Sequence, residues 1–159
     1  MTRTLILLRH AKSAWPDGIP DAQRPLAGRG RRDAPAVGRW LRGQLAIDLV
    51  LCSPAARAVQ TWDLVAAQLD PIPRVRHDER LYGASAEELL RVTQELPHTV
   101  STAALVGHNP GLEDFLELLT GTVKVLRTSA VAVMATPATW AKAKTRSCTL
   151  AAFSTPRGE

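Results

Sequence analysis

Residues 4–8 (Thr4-Leu5-Ile6-Leu7-Leu8), 48–52 (Asp48-Leu49-Val50-Leu51-Cys52) and 103–106 (Ala103-Ala104-Leu105-Val106) are short apolar runs with no polar alternation. Such runs are the pattern of strands buried on both faces, as in a parallel sheet. Residues 130–134 and 148–153 read as two further strands, joined by a basic, exposed hairpin turn around Lys142, Lys144 and Arg146. Arg74-Val75-Arg76 reads as a short edge strand. Between the strands the spacing turns helical. Val37, Trp40, Leu41 and Leu45 form one stripe of a helix over 29–45, which Pro35 either kinks or begins. Ala55, Val59, Trp62, Ala66 and Leu69 form the stripe of a second helix, with Ser53 as its N-cap and Pro54 as its first residue. Ser85-Ala86-Glu87-Glu88 has capping-box spacing and opens a helix to about Leu96. Asn109 and Pro110 open a fourth, with Leu112, Phe115, Leu116 and Leu119 on its core face and Gly121 at its end. The order βα, βα, βα, βα, ββ predicts a three-layer α/β sandwich. Its sheet is mainly parallel, with helices on both faces and an antiparallel pair at one side. Residues 1–153 are expected to form a single domain and 154–159 a frayed tail.

Composition narrows the class. A chain of 159 residues with 45% hydrophobic and 22% charged residues is that of an ordinary globular protein. No apolar run approaches the roughly 20 residues that span a bilayer, so no membrane partner is implied. The first apolar run is too short for an export signal, which predicts a cytoplasmic protein with Cys52 and Cys148 as reduced thiols. The net charge of +5 comes from sixteen Arg and four Lys against 15 acids. The charges are scattered and aromatics are only 4% of residues, which argues against a nucleic-acid partner. A basic surface with a few arginines reserved for an anionic substrate fits better.

The chemistry gathers at strand ends, where open α/β sheets bind their ligands. The first strand delivers Arg9 and His10, the second Ser53 and Arg57, the third His108. Two helix N-termini add backbone donors. Two arginines, two histidines and helix ends suit a tetrahedral dianion, because the guanidinium fork matches phosphate oxygens. There is no Gly-rich phosphate loop with a Lys, no Cys-based cradle, and no acidic cluster for Mg²⁺ near these ends, so neither cofactor nor metal is implied. The nucleophile candidates are the histidines or Ser53. A neutral imidazole attacks phosphorus competently, and the product can be hydrolysed. The loop over 11–27, rich in Pro and Gly, forms one rim, with Arg24 either a rim cation or plain surface.

The run Leu8-Arg9-His10-Ala11-Lys12-Ser13-Ala14-Trp15 resembles the signature of the histidine phosphatase superfamily, the phosphoglycerate-mutase-like fold. The segments Cys52-Ser53-Pro54-Ala55-Ala56-Arg57-Ala58-Val59-Gln60-Thr61 and Val106-Gly107-His108-Asn109-Pro110-Gly111 match in the family's order. Short length and the Gly107-His108-Asn109-Pro110 run look most like the SixA-type phosphohistidine phosphatases. The resemblance implies His10 as phosphoryl acceptor, with Arg9, Arg57 and His108 holding the transferring group. It places Glu79 where many members carry their general acid. Ser13, Asn109 and Arg24 are further candidate substrate contacts. Two departures stand out. Ala11 replaces the Gly that commonly follows the nucleophile, and Pro16 stands where mutase-like members often carry a phosphate-contacting Asn. His77 and His98 match nothing and read as surface residues.

The expected substrate is a phosphorylated protein, with the phosphoryl group on histidine. The stretch from Glu79 to His108 has room for one helix and one strand and no lid domain, which leaves an open site. A small phosphorylated metabolite is the alternative substrate. A non-catalytic phosphate-sensing module on the same fold is the alternative of another class, against which the intact His10 and His108 argue.

Overall fold

The computed structural model describes residues 2–44 and 46–159. The predicted position of Leu45 on the first helix stripe lies outside the described residues. Six strands form one sheet: β1 (Arg3–Arg9), β2 (Leu49–Cys52), β3 (Arg74–His77), β4 (Thr102–Gly107), β5 (Val131–Thr136) and β6 (Thr149–Ser154). Their order across the sheet is β3-β2-β4-β1-β5-β6. β3, β2, β4 and β1 run parallel, whereas β5 is antiparallel to both β1 and β6. The helices are α1 (Gly28–Arg42), α2 (Ala56–Ala66), α3 (Ala86–Gln94) and α4 (Gly111–Thr120). This is the three-layer α/β sandwich read from the sequence.

Why the strands lack polar alternation is visible in their two faces. Leu5, Leu7, Leu49, Leu51, Ala103 and Leu105 pack with the apolar stripes of α3 and α4. The intervening Ile6, Leu8, Val50, Cys52, Ala104 and Val106 pack with α1 and α2. Successive side chains of a strand point to opposite faces, so a sheet covered on both sides needs apolar residues at every position. Burial raises the Cys52 thiol to about 12, which makes it an inert core residue. The capping box of α3 is present, with Ser85 Oγ accepting from Glu88 N at 3.2 Å and Glu88 Oε1 from Ser85 N at 3.0 Å. Gly121 ends α4 at φ 74°, a left-handed conformation that a Cβ disfavours. Among the described residues, no helix is long and apolar enough to cross a membrane.

The structure corrects several expectations. Pro35 lies inside α1, which begins well before it. Ser53 and Pro54 precede α2 and neither is its N-cap; the helix opens at Ala56 with Ala55 as N-cap, while Ser53 Oγ accepts from Ala55 N at 3.3 Å and pairs with the His108 ring. The β5–β6 connection is more than a turn, since Trp140 is buried and its Nε1 donates to Val100 O at 2.7 Å. Lys142, Lys144 and Arg146 are exposed, as expected.

The largest correction is at the C-terminus. Residues 154–159 are not a frayed tail: Ser154 closes β6, and the segment beyond it is tied to α1. Asp33, 1% exposed, accepts from Gly158 N at 2.9 Å, Arg157 Nη1 at 3.0 Å and Arg29 Nε at 3.3 Å. Arg157 also donates to Thr128 O at 2.8 Å. A buried carboxylate with these donors anchors the tail from both sides. Replacing Asp33 by Ala should therefore lower stability by about 1–3 kcal/mol in urea unfolding, because a half-buried backbone donor and two guanidinium groups lose their acceptor. The same variant should become cleavable by protease after Ser154.

Candidate active site

The parallel register brings three strand ends level. Arg9 sits opposite Gly107, and Cys52 opposite Val106. The chain beyond each end stays pinned, with His10 N donating to Gly107 O at 3.1 Å and Ser53 N to Val106 O at 3.0 Å. From the other side, Ser129 N is shared between the Arg9 and His10 carbonyls at 3.2 and 3.1 Å. Ser129 holds φ 69°, a conformation uncommon outside glycine, at the point where it grips the strand end. Ala11 N donates to Thr61 Oγ1 at 2.9 Å, and Thr61 Oγ1 donates to Arg57 O at 2.6 Å. One buried threonine thus joins the backbone after His10 to the helical turn that carries Arg57. The loop after His10 also meets α1 closely. A Cβ at Gly30 would lie 2.1 Å from the Lys12 carbonyl oxygen, so only glycine permits that approach.

The two imidazoles face each other with ring centroids 5.1 Å apart. His10 Nδ1 lies 2.7 Å from Ala11 O. A carbonyl oxygen only accepts, so Nδ1 carries the proton and Nε2 keeps its lone pair. Burial pulls His10 down to about 3, helped by His108, Arg57 and Arg9 and opposed by the Ala11 hydrogen bond. Burial and Arg57 pull His108 down to about 4. Both rings are neutral at neutral pH. His108 Nε2 shares a hydrogen bond of 2.8 Å with the Oγ of the fully buried Ser53, while its Nδ1 has no partner among the described residues.

Three arginines surround the rings. Arg9 donates from Nη1 to Leu126 O at 2.9 Å, and burial lowers its pKa. Arg57, 7% exposed, donates to Asp21 O at 2.8 Å and Asp21 Oδ2 at 3.0 Å. Arg24, equally buried, donates to Asp21 Oδ1 at 2.9 Å, Ser13 Oγ at 2.6 Å and Ala14 O at 3.0 Å. Asp21 also accepts from the Tyr82 hydroxyl. The Tyr82 hydroxyl and the Arg24 and Arg57 guanidinium groups hold the Asp21 carboxyl well below the usual carboxylate range. Tyr82 is raised in return. Asp21 therefore serves as the clasp by which the 11–27 loop grips both arginines. Arg9, His10, Lys12, Ser13, Trp15, Arg24, Arg57, His108, Asn109 and Thr128 line a cavity of about 250 Å³. With two neutral imidazoles, one of them carrying a free lone pair, and three guanidinium groups, it can hold an oxyanion and attack it.

Most of the expected site residues meet here: Arg9, His10, Ser13, Arg24, Arg57, His108 and Asn109 line the cavity, and Ser53 sits just behind His108. Arg24 is a buried clamp rather than plain surface. Asn109 is committed elsewhere, with Nδ2 donating to Leu126 O at 2.8 Å and Oδ1 accepting from Glu113 N at 3.3 Å. It staples the loop after α4 to the start of that helix. Glu79 is the exception. Its short 3-10 turn (Glu79–Leu81) buries Leu81 and leaves Glu79 exposed, outside the cavity lining. Tyr82 comes to the site instead, edge-on to His108 with centroids 5.6 Å apart. Sequence reasoning missed Asp21, Tyr82 and Thr61. Thr61 lay in a matched motif and Tyr82 was the aromatic that follows the Glu79-Arg80 pair, neither with a role of its own, and nothing local marked Asp21. His77 and His98 are exposed, as expected.

This fold, with an arginine-lined pocket at the strand ends and a histidine prepared to attack, defines a phosphoryl-transfer enzyme of the histidine type. The profile of the histidine phosphatase superfamily (branch 1) matches residues 5–128, and the chain belongs to that family. Within it the likeness is to the SixA type. A candidate phosphohistidine phosphatase SixA from Nakamurella multipartitia has a structure with TM-score 0.88 and 31% identity, covering 98% of this chain and 97% of that one. Its counterpart from Agrobacterium tumefaciens gives 0.84 and 28%, covering 97% and 98%. An uncharacterized protein of Mycobacterium tuberculosis is 40% identical over 162 residues, covering 94% of this chain and 100% of that protein. The chain is a histidine-type phosphatase.

The neutral pair makes a direct prediction. In the free enzyme the ring resonances of His10 and His108 should stay constant from about pH 8 to about pH 5.5 by NMR. A midpoint near 6.5 for either would contradict it. Stability follows with a defined sign. Below the unfolded value of 6.5 and above the folded values of about 3 and about 4, the unfolded chain binds protons that the native pair rejects. This contribution is neutral above the window and destabilising below it, so unfolding should become easier as pH falls from 6.5.

Proposed function

We propose that this phosphatase transfers a phosphoryl group from its substrate to His10 Nε2 and then to water, and that the substrate is phosphohistidine on a protein. In the first step the Nε2 lone pair forms a bond to phosphorus as the bond to the leaving group breaks. In the second, water attacks the phosphoimidazole, inorganic phosphate departs with the oxygen of that water, and Nε2 is restored. Arg9, Arg57 and His108 hold the non-bridging oxygens and stabilise their charge through both transfers. The observation that carries the scheme is the 2.7 Å contact of His10 Nδ1 with Ala11 O, which leaves Nε2 unprotonated in a neutral ring among arginines.

Two features support phosphorus on nitrogen. A phosphate monoester expels an alkoxide, which needs an acid to protonate it as the bond breaks. Phosphohistidine expels an imidazole whose nitrogen can be protonated beforehand. Glu79, the expected acid, stands outside the cavity and has no part in this scheme. The second feature is size. A cavity of about 250 Å³ falls below the roughly 300–1,000 Å³ of sites that enclose whole small molecules, so it suits a phosphoryl group whose carrier remains outside.

Catalytic efficiency should accordingly be higher on a phosphohistidine peptide than on sugar phosphates. A wild-type preference for a sugar phosphate would move the assignment to a small-molecule phosphatase. Arg57→Ala should lower turnover about 10²-fold or more, and Arg57→Lys should restore it only in part, because a point charge lacks the fork. Equal rates for Arg and Lys at this position would reduce Arg57 to a contributor to the surface field.

A further inference from the structure

Trp15 is 75% exposed, the highest value for any large apolar side chain among the described residues, yet it belongs to the wall of the anion cavity. Such exposure forgoes the burial that an indole normally finds in a fold this size. The ring is nevertheless held. The Arg24 guanidinium carbon lies 3.2 Å from its centroid, and Arg24 is itself fixed by Ser13, Ala14 and Asp21. The backbone on its N-terminal side is anchored too, with Ala14 N donating to Pro25 O at 2.9 Å and Ser13 bridged to Leu26. A guanidinium stacked this way covers one face of an indole. The degree of exposure leaves the other face to solvent. The site thus presents a flat, apolar, pre-oriented surface at its mouth, backed by a buried cation.

The cavity has room for the phosphoryl group, so the leaving group must lie at that mouth. We infer that the free face of Trp15 is a stacking platform for the leaving group, and that it selects planar rings, an imidazole above all, over alkyl carriers. This deepens the proposed function and rests on it for the identity of the ring. Offset stacking of two rings gains more than contact with an alkyl chain of similar area, and it aligns the bond that breaks. Trp15 acts here on binding and orientation, whereas the chemistry belongs to His10.

The test separates ring from bond with four substrates: phosphoimidazole and phosphoramidate for P–N, para-nitrophenyl phosphate and glycerol phosphate for P–O. Where turnover of one is too slow, its inhibition constant against para-nitrophenyl phosphate is read instead. Trp15→Ala should raise KM for each ring-bearing substrate about fivefold to tenfold more than for its ring-free partner, with kcat changing less. Trp15→Tyr should recover most of that difference. Equal changes across all four substrates would overturn the platform, leaving Trp15 as a mere prop for Arg24. An effect seen only with a whole phosphoprotein would make it a docking contact and overturn it as well. The comparison is made within each bond type, so a wild-type preference for P–O substrates would sink the phosphohistidine reading and leave the platform to be judged separately.

Discussion

A carbonyl oxygen can accept a hydrogen bond and never donate one, and the Ala11 carbonyl lies 2.7 Å from His10 Nδ1. From that constraint the rest of the site follows. The proton is assigned to Nδ1, the lone pair to Nε2, and the ring must be neutral to serve. Neutrality is secured by placing it in the protein interior beside Arg9, Arg57 and a second, half-buried imidazole. The Ala11 carbonyl is in turn held in place, since the N–H of the same residue is bound to Thr61 and the preceding carbonyl to Ser129. Ala11 is itself fully buried, and a residue with a Cβ fits where many family members carry Gly.

The arginines create an opposing demand. Gathering Arg9, Arg24 and Arg57 around one cavity costs charge repulsion and desolvation. Asp21 offsets part of this with bonds to two of them, and Tyr82 and the loop over 11–27 hold that carboxylate in place. Because the Asp21 contacts engage Nη1 and Nη2 of Arg57 from one side, they also orient its guanidinium. The clasp that makes the cluster tolerable is thus the device that aims it. On the other flank, Asn109 and Arg9 both donate to the Leu126 carbonyl, so the loop after α4 is organised by site residues rather than by its own sequence.

Much of this was legible in the sequence because it depends on local pattern. Unbroken apolar runs identify strands covered on both faces, and the residues ending those runs name the site. The capping box at Ser85 and the terminator at Gly121 are likewise local signals. What escaped depends on contacts distant along the chain. Ser53 looks like an N-cap until His108 Nε2 comes within 2.8 Å of its hydroxyl. The tail reads as frayed because the carboxylate that anchors it, Asp33, lies more than a hundred residues earlier. Glu79 fits the family's acid position by spacing, yet the 3-10 turn around Leu81 sends Tyr82 to the site in its place. Asp21 carries no motif of its own. Its role exists only once a loop has folded over two arginines.

The central claim is that phosphoryl transfer passes through Nε2 of His10, and trapping that intermediate tests it most directly. Enzyme mixed with substrate and quenched in alkali, where phosphohistidine survives, can be mapped by mass spectrometry and its isomer assigned by phosphorus NMR against both phosphohistidine standards. The account predicts label on His10 alone, as the Nε2 isomer. Label on Ser53 or His108, the Nδ1 isomer at His10, or turnover with no labelled residue would contradict it.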